Sequence, residues 1–436
     1  MSIERGRRWR NWGRSQVSHP HWVSRASSVE DVIDTVTFAR ESGMPVKSIG
    51  AGHSFTSIAA TDGVHLDVAA LDGVLAVDGT SVTLGAGTNL YQLPALLGEH
   101  QLALENMGDI DRQTIAGAIS TGTHGTGARF GGIATQVEAL TMVTADGSLL
   151  HVSGTENSEL LPAARVGLGA LGVLVDVTLR CAPEFVLHAV ERPEPLEAVL
   201  EAWDERAASV DHFEFYWFPH TTQALTKTNS RLPADTPRKP QHPVAAWIDD
   251  EFMPNGLYSV VCGLGVIAPT TTPPLNRLAN RLAAEREITD SWHDVFTSPR
   301  RVRFREMEYA LPAAAIPEAL RAIRAAIDAN GWRITFPVEV RIAAADDNWL
   351  STAQGRATGY IAVHRYYRED PTEYFEAVEA IAREHGGRPH WGKMHFRTAD
   401  DLRPAYPHFD DFLAVRDRLD PERLFANDYL ERVLGQ

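Results

Sequence analysis

The sequence predicts an α+β protein in two parts, and three observations predict it. Up to about residue 182, short strand-like runs separated by Gly and Asp flank two loops rich in glycine and hydroxyl residues. Past Pro183 the composition changes, with irregular excursions at Pro233, Pro237, Pro240 and Pro243 and again at Pro269, Pro273 and Pro274. Beyond them strands alternate with helices. Arg333–Ile342 and Tyr360–Tyr366 read as strands, Pro317–Asn330 and Pro371–His385 as helices, the order of a sheet carrying helices on one face.

In chain order, Ser27 and Glu30 have the spacing of a capping box, and Val29, Val32, Ile33 and Val36 follow at helical spacing with Gly43 as the stop. Pro45–Ile49 is a short strand that delivers the first loop, Gly50-Ala51-Gly52-His53-Ser54. Val64–Asp67, Gly73–Val77 and Ser81–Leu84 are further strands, and Leu90–Leu97 is a helix ending at Gly98. The second loop runs from Thr114 through Gly117 to Gly122-Thr123-His124-Gly125. Ile133–Thr144 and Ser148–Val152 pair as a hairpin across Asp146-Gly147. In the later helix, Ile316, Leu320, Ile323 and Ile327 make one apolar stripe, and Asn330-Gly331 ends it.

Glycines let backbone N–H groups approach a ligand, and successive N–H groups make an anion-binding nest. Two such loops, each with a histidine, suggest one bulky phosphate-bearing cofactor held from two sides. Gly167-Leu-Gly-Ala-Leu-Gly172 matches the dinucleotide-binding letters, but helix-like Glu159–Arg165 precedes it and strand-like Val173–Leu179 follows. That order is the reverse of a nucleotide fingerprint, so a nicotinamide site here is disfavoured. The segment reads as a tight helix-to-strand connection beside a cofactor.

Composition narrows the class. With 436 residues, 44% of them hydrophobic, the chain can bury a large core. A formal charge of −16 argues against a general nucleic-acid binder, and the cluster Arg5, Arg7, Arg8, Arg10 and Arg14 reads as a solvated terminal segment. No apolar stretch follows Arg7-Arg8, and the longest apolar run, Leu257–Ala268, is too short to span a bilayer. Cys181 and Cys262 make no disulfide framework, so a soluble, cytoplasmic protein is expected. The 17 histidines are scattered without metal-ligand spacing, so no metal site is expected. Neither a Gly-x-Ser-x-Gly elbow nor a phosphate-binding Gly-Lys-Ser/Thr loop is present, which leaves an organic redox cofactor as the carrier of difficult chemistry.

Three polar clusters embedded in apolar sequence point to a pocket rather than a solvated sheet. Period-two geometry puts Glu339 and Arg341 on one face of their strand, with Val338 and Val340 on the other. The next strand offers His364 and Tyr366 on one face, and His390-Trp391-Gly392-Lys393 adds a third cluster.

Trp9-Arg-Asn-Trp-Gly13, Gly50–Ser54, Gly122–Gly127, Glu339-Val-Arg341 and His390–Lys393, in that order and across nearly the whole chain, resemble the aldonolactone oxidases. These are the gulonolactone and arabinonolactone oxidase type, kin to alditol oxidase, within the vanillyl-alcohol-oxidase class of flavoproteins. The resemblance implies a PCMH-type FAD-binding domain over residues 1–182. It implies an α+β substrate (cap) domain with an antiparallel sheet over 183–387, and a segment over 388–436 that returns to the flavin. It implies covalent attachment of FAD through His53, whose neutral imidazole is a good nucleophile. Gly50, Ala51, Gly52, Ser54, Thr114, Gly117, Gly122, Thr123, His124, Gly125, Leu174 and His390 would hold the cofactor. Glu339, Arg341 and Lys393 would be catalytic, and Thr114, Glu339, Arg341, His364, Tyr366 and Lys393 would meet the substrate. The implied reaction is hydride transfer from a sugar lactone or polyol to the flavin, with O2 or another small molecule as electron acceptor. Alditol oxidases carry a small hydroxyl residue where this chain has Tyr366, which favours a lactone over a straight-chain polyol.

Overall fold

The structure, a computed structural model, describes residues 3–242, 256 and 258–436. Pro243 of the first proline excursion and Leu257, which opens the apolar run, lie outside the described residues.

Among the described residues the first part contains a four-stranded and a five-stranded sheet, with two short two-stranded ones beside them. Ile3–Arg5, Trp22–Arg25, Val64–Asp67 and Val46–Ile49 lie side by side in that order, and both pairings of Val64–Asp67 are parallel. The helix Val29–Glu41 supplies the crossover such parallel pairing requires. Its cap lies one residue beyond the predicted box. Ser28 is the N-cap, accepting from the Asp31 N–H at 3.2 Å, while Asp31 reaches back to the Ser27 N–H at 2.9 Å. Burial sets this register, because Val32, Val36 and Ala39 must face Val46, Val64 and Leu66. The second sheet is antiparallel, in the order Leu149–Ser153, Val137–Val143, Val173–Arg180, Ser81–Gly85 and Val74–Asp78. Its hairpin brackets Asp146-Gly147 as predicted, with Val143 opposite Leu149. Ile133–Gln136, expected to be extended, is a 3-10 turn ahead of that strand.

The second part is built on an eight-stranded antiparallel sheet, in which His212–Trp217, Val338–Ala343, Thr358–Tyr366 and Phe304–Pro312 are neighbours in that order. Side-chain alternation divides it. Phe213, Phe215, Val338, Val340, Met307 and Tyr309 pack with the helices Leu196–Glu201, Ile316–Asn330 and Thr372–Glu384. The positions between them carry Glu214, Glu339, Arg341, Glu306, Glu308 and His364, all buried as well. The predicted strand Arg333–Ile342 starts only at Val338, since Pro337 has no N–H for the ladder and the first pair is Trp217 with Val338.

The chain then returns. Arg388–Pro389 adds to the sheet beside Tyr309, and Asn427 donates to the carbonyls of Ser57, Ile58 and Ala60 in the first part. Tyr429 donates to the Trp391 carbonyl at 2.9 Å. Among the described residues, no helix is long and apolar enough to cross a membrane.

Candidate active site

The first glycine loop is clamped from both ends of the chain. The Trp12 N–H donates to the Gly52 carbonyl at 2.8 Å, and Asn11 Nδ2 donates to the Ser54 carbonyl at 2.9 Å. The Trp12 ring stacks on His53, with centroids 5.6 Å apart and planes 22° from parallel. From the other end, the Phe55 N–H donates to the Gly392 carbonyl at 2.7 Å. Two glycines are required here by space and conformation. A Cβ on Gly50 would lie 2.6 Å from Thr114 Oγ1, and Gly52 sits at φ +71°. Burial, then the positive charges of Lys393 and Arg112, depress the His53 pKa to about 4, so its imidazole is neutral near pH 7.

A cavity runs along this loop. It is lined by Gly50–Ser54, Thr114, Gly117, Thr121 and, at its other end, Leu168, Gly169, Gly172 and Leu174. Thr114 caps the short helix that follows, accepting from the Gly117 N–H at 3.2 Å. The Gly167–Gly172 segment is indeed a helix-to-strand connection, joining Leu161–Ala164 to Val173–Arg180. Lys47, unremarked in the sequence, is buried here and donates to the Phe425 carbonyl at 2.9 Å. Glycine loops, a capped helix start and a buried lysine fit a phosphate-bearing cofactor.

Around His53 the cavity meets the charged face of the large sheet. His53, Thr123, His124, Glu308, Arg341, His390 and Lys393 line the space between them. Gly122 and Gly125 belong to the loop that carries His124; the Gly127 N–H ties that loop to the Ile342 carbonyl at 2.7 Å. His124 is buried with its ring stacked on Tyr360 at 3.6 Å, its Nδ1 donating to the Gly125 carbonyl and its Nε2 3.0 Å from Glu308. His124, Glu308 and His390 bring one potential ligand atom each within 4.8 Å of one another, a grouping the sequence spacing gave no hint of. Burial, ahead of nearby charges, depresses the His390 pKa to about 4.

Arg341 is the hub of the charged face. It donates to Glu214 at 2.8 Å, pairs with Glu339, and lies 3.4 Å from Asp109, which in turn pairs with Arg300 at 2.9 Å. Tyr216 donates to Glu339 at 3.4 Å. Burial raises the Glu339 pKa; Arg341 opposes the rise, Asp109 and Glu214 add to it, and the result is about 7. Lys393 stays charged. Burial lowers its pKa, but Glu306 at 2.5 Å and Glu308 outweigh burial and raise it. Glu306 also faces His364 Nε2 at 3.5 Å, and His364 Nδ1 donates to the Pro337 carbonyl.

Above this floor lies a second cavity of about 510 Å³, reached by Asp109, Glu306, Glu339, Arg341, His364 and Lys393. Tyr366 is a correction. It lines none of these cavities and joins an apolar cluster with Phe55, Phe304 and Phe336, so it gives no steric argument against a polyol. Thr114 also lies apart from the second cavity and lines the first. Asp109, Glu214, Arg300, Glu306 and Glu308 went unnoticed in the sequence. The alternation that singled out Glu339 and Arg341 is present in Phe213-Glu-Phe and in Glu306-Met-Glu-Tyr309, whereas Asp109 and Arg300 sit outside helices and strands with no periodic signal.

The fold and the site define an FAD-dependent oxidoreductase, and residues 20–153 match the FAD binding domain family. Residues 177–433 match D-arabinono-1,4-lactone oxidase, and the chain belongs to this family. It is 44% identical to an L-gulono-1,4-lactone dehydrogenase of Mycobacterium tuberculosis over 98% of this chain and 99% of that one. It is 36% identical to L-gulonolactone oxidase of Bos taurus, covering 98% of each. Cholesterol oxidase from B. sterolicum shares the fold at a TM-score of 0.80 and 18% identity, over 99% of this chain and 97% of that one.

Proposed function

We propose that this protein oxidises the C2 hydroxyl of a sugar 1,4-lactone, giving a 2-keto lactone that enolises to an ascorbate-type product, with FAD joined covalently to His53. The observation that carries the reading is that Arg341 and Lys393 line both the space beside His53 and the second cavity, where Glu339 joins them. The lactone class is taken from relatives named gulonolactone dehydrogenase and gulonolactone oxidase. Bound FAD supplies the two-electron acceptor for the C2 hydride.

The chain's own residues do the rest. Glu339, poised near neutrality, takes the hydroxyl proton. Arg341 and Lys393 would face the charge that develops on the substrate oxygen and would stand beside the cofactor. Glu214 and Asp109 hold the guanidinium, and Glu306 holds the ammonium, so neither has to reorganise during reaction. Gly50–Ser54 and Thr114 hold the cofactor on one side and the His124 loop on the other, with the neutral His53 ring as attachment point. The electron acceptor would be O2 or another small molecule; the relatives' names include both oxidase and dehydrogenase.

Acid precipitation of the purified protein tests the cofactor claim. The yellow colour is expected in the pellet, and in the supernatant for His53→Ala; colour released wholly from the unaltered protein overturns covalent attachment. Anaerobic mixing with gulono-1,4-lactone should bleach the flavin. Bleaching by alditols and by no lactone would instead make the substrate a polyol. Oxygen uptake under turnover separates oxidase from dehydrogenase.

A further inference from the structure

The charged residues that line the second cavity are Asp109, Arg300, Glu306, Glu339, Arg341, His364 and Lys393, none of them on the two helices that also line it. Its floor carries the charged groups that the proposed reaction needs, whereas its outer wall is formed by Tyr258, Val261, Leu275, Leu278, Leu282 and Phe336. Four of these side chains, with Tyr258, come from two successive helices, Tyr258–Ile267 and Thr272–Leu282. Residues 258–282 contain no Asp or Glu, in a chain of net charge −16, and their two charged residues, Arg277 and Arg281, are not among those lining the cavity.

The wall is fastened in place. Asn276, itself buried, donates to the carbonyls of Pro219 at 3.0 Å and Ile334 at 2.9 Å, and the Tyr258 hydroxyl donates to the Thr335 carbonyl at 3.1 Å. The apolar surface also continues outward. Leu278 and Leu282 line the cavity and are 52% and 66% exposed, and Val260, Leu264 and Ile267 of the preceding helix are exposed as well.

An unsubstituted sugar lactone has hydroxyl or ring oxygens along its whole length, and it has nothing to set against such a wall. Polar groups at one end of a pocket fix orientation, while apolar walls supply affinity for an apolar group. We infer that the ligand of this cavity is amphipathic: a sugar lactone, or its polyol, carrying an alkyl or acyl group at the end remote from the oxidised carbon. The sugar sits on the charged floor beside Glu339 and Arg341, and the apolar group lies along Val261, Leu275, Leu278 and Leu282 toward the opening. This inference rests on the lactone reading of the same floor.

Calorimetric titration of the oxidised holoenzyme tests it without turnover. The probes are a 2-deoxy-hexono-1,4-lactone, which lacks the hydroxyl to be oxidised, and its 6-O-acetyl, butyryl and hexanoyl esters. The dissociation constant should fall along the esters by about fourfold per added methylene, the factor expected for burying each CH2. Leu278→Asp and Leu282→Asp, at positions exposed enough for the fold to tolerate the change, should flatten that dependence. Equal affinities for acetyl and hexanoyl esters overturn the inference, as does a slope that survives both substitutions. An apolar wall serving a lipid surface or a second copy of the chain would give that flat series. If neither the plain lactone nor any ester binds, the lactone reading itself fails, which keeps the two outcomes apart.

Discussion

At the scale of single residues, the site is a balance of buried charges. Arg341 serves three carboxylates, Glu214, Glu339 and Asp109, and the last two groups of that set are not equally ionised. Glu339, raised to about 7, is the one that the proposed reaction uses to exchange a proton. A base with a raised pKa works only when ionised, so kcat/KM for a lactone should rise with pH through about 7 and level off above it. Glu339→Gln should remove that rise and lower kcat/KM by roughly 10²–10⁴-fold, the usual range for a positioned acid–base group. Asp109→Asn deletes a negative charge that holds the Glu339 pKa up, so the same limb should move to lower pH. A limb that stays in place in the pH–rate profile would exclude this pairing. Lys393→Met should cost about 10²–10³-fold in kcat, as expected for a lost electrostatic contact to developing charge, with flavin content unchanged. Reading these roles from the sequence was partly possible. Glu339, Arg341 and Lys393 stood out beside apolar neighbours, whereas Tyr366 packs among Phe55, Phe304 and Phe336 and is not among the residues that line the cavity.

At the scale of elements, period two explains why one sheet can be both a core and an active-site floor. Each central strand spends alternate side chains on the helices behind and on the charged face in front. Ile323, buried in the helix Ile316–Asn330, belongs wholly to the packing side. Ile323→Ala should therefore lower the unfolding free energy by about 2–5 kcal/mol in a denaturant titration, through lost burial and the cavity left behind. The midpoint should fall while the pH–rate limb of Glu339 stays where it was. Helix and strand identities were largely legible because apolar spacing alone distinguishes 3.6 from 2. Their ends were less so: the Ser28 cap and the start at Val338 follow from which residues the neighbouring elements allow to pair.

At the scale of the whole molecule, the His53 loop is held by segments from opposite ends of the chain. Trp12 and Asn11 clamp it from the start, and Gly392 and Asn427 from the end. Asn427→Leu removes the amide nitrogen that contacts the carbonyls of Ser57, Ile58 and Ala60 just past His53, and with it the cap that its oxygen gives the Leu430 N–H. The purified variant should carry less flavin per chain than the unaltered protein, measured by the absorbance ratio, with the large sheet still folded. Undiminished flavin content would mean the loop holds its shape without the returning segment.

Local order along the chain already carried the two glycine loops, the histidine in each, the alternating Glu339 and Arg341, and the His390–Lys393 cluster. Propensity, periodicity and motif spacing are properties of neighbours in sequence, and these features are made of neighbours. Tertiary structure alone decided which distant charges meet. Asp109 reaches Arg341 and Arg300 across 232 and 191 positions of chain, Glu214 reaches Arg341 across 127, and no local pattern encodes a contact of that separation. The pKa of Glu339 and the apolar wall above it belong to the same category, because burial and charge are set by what the fold brings alongside.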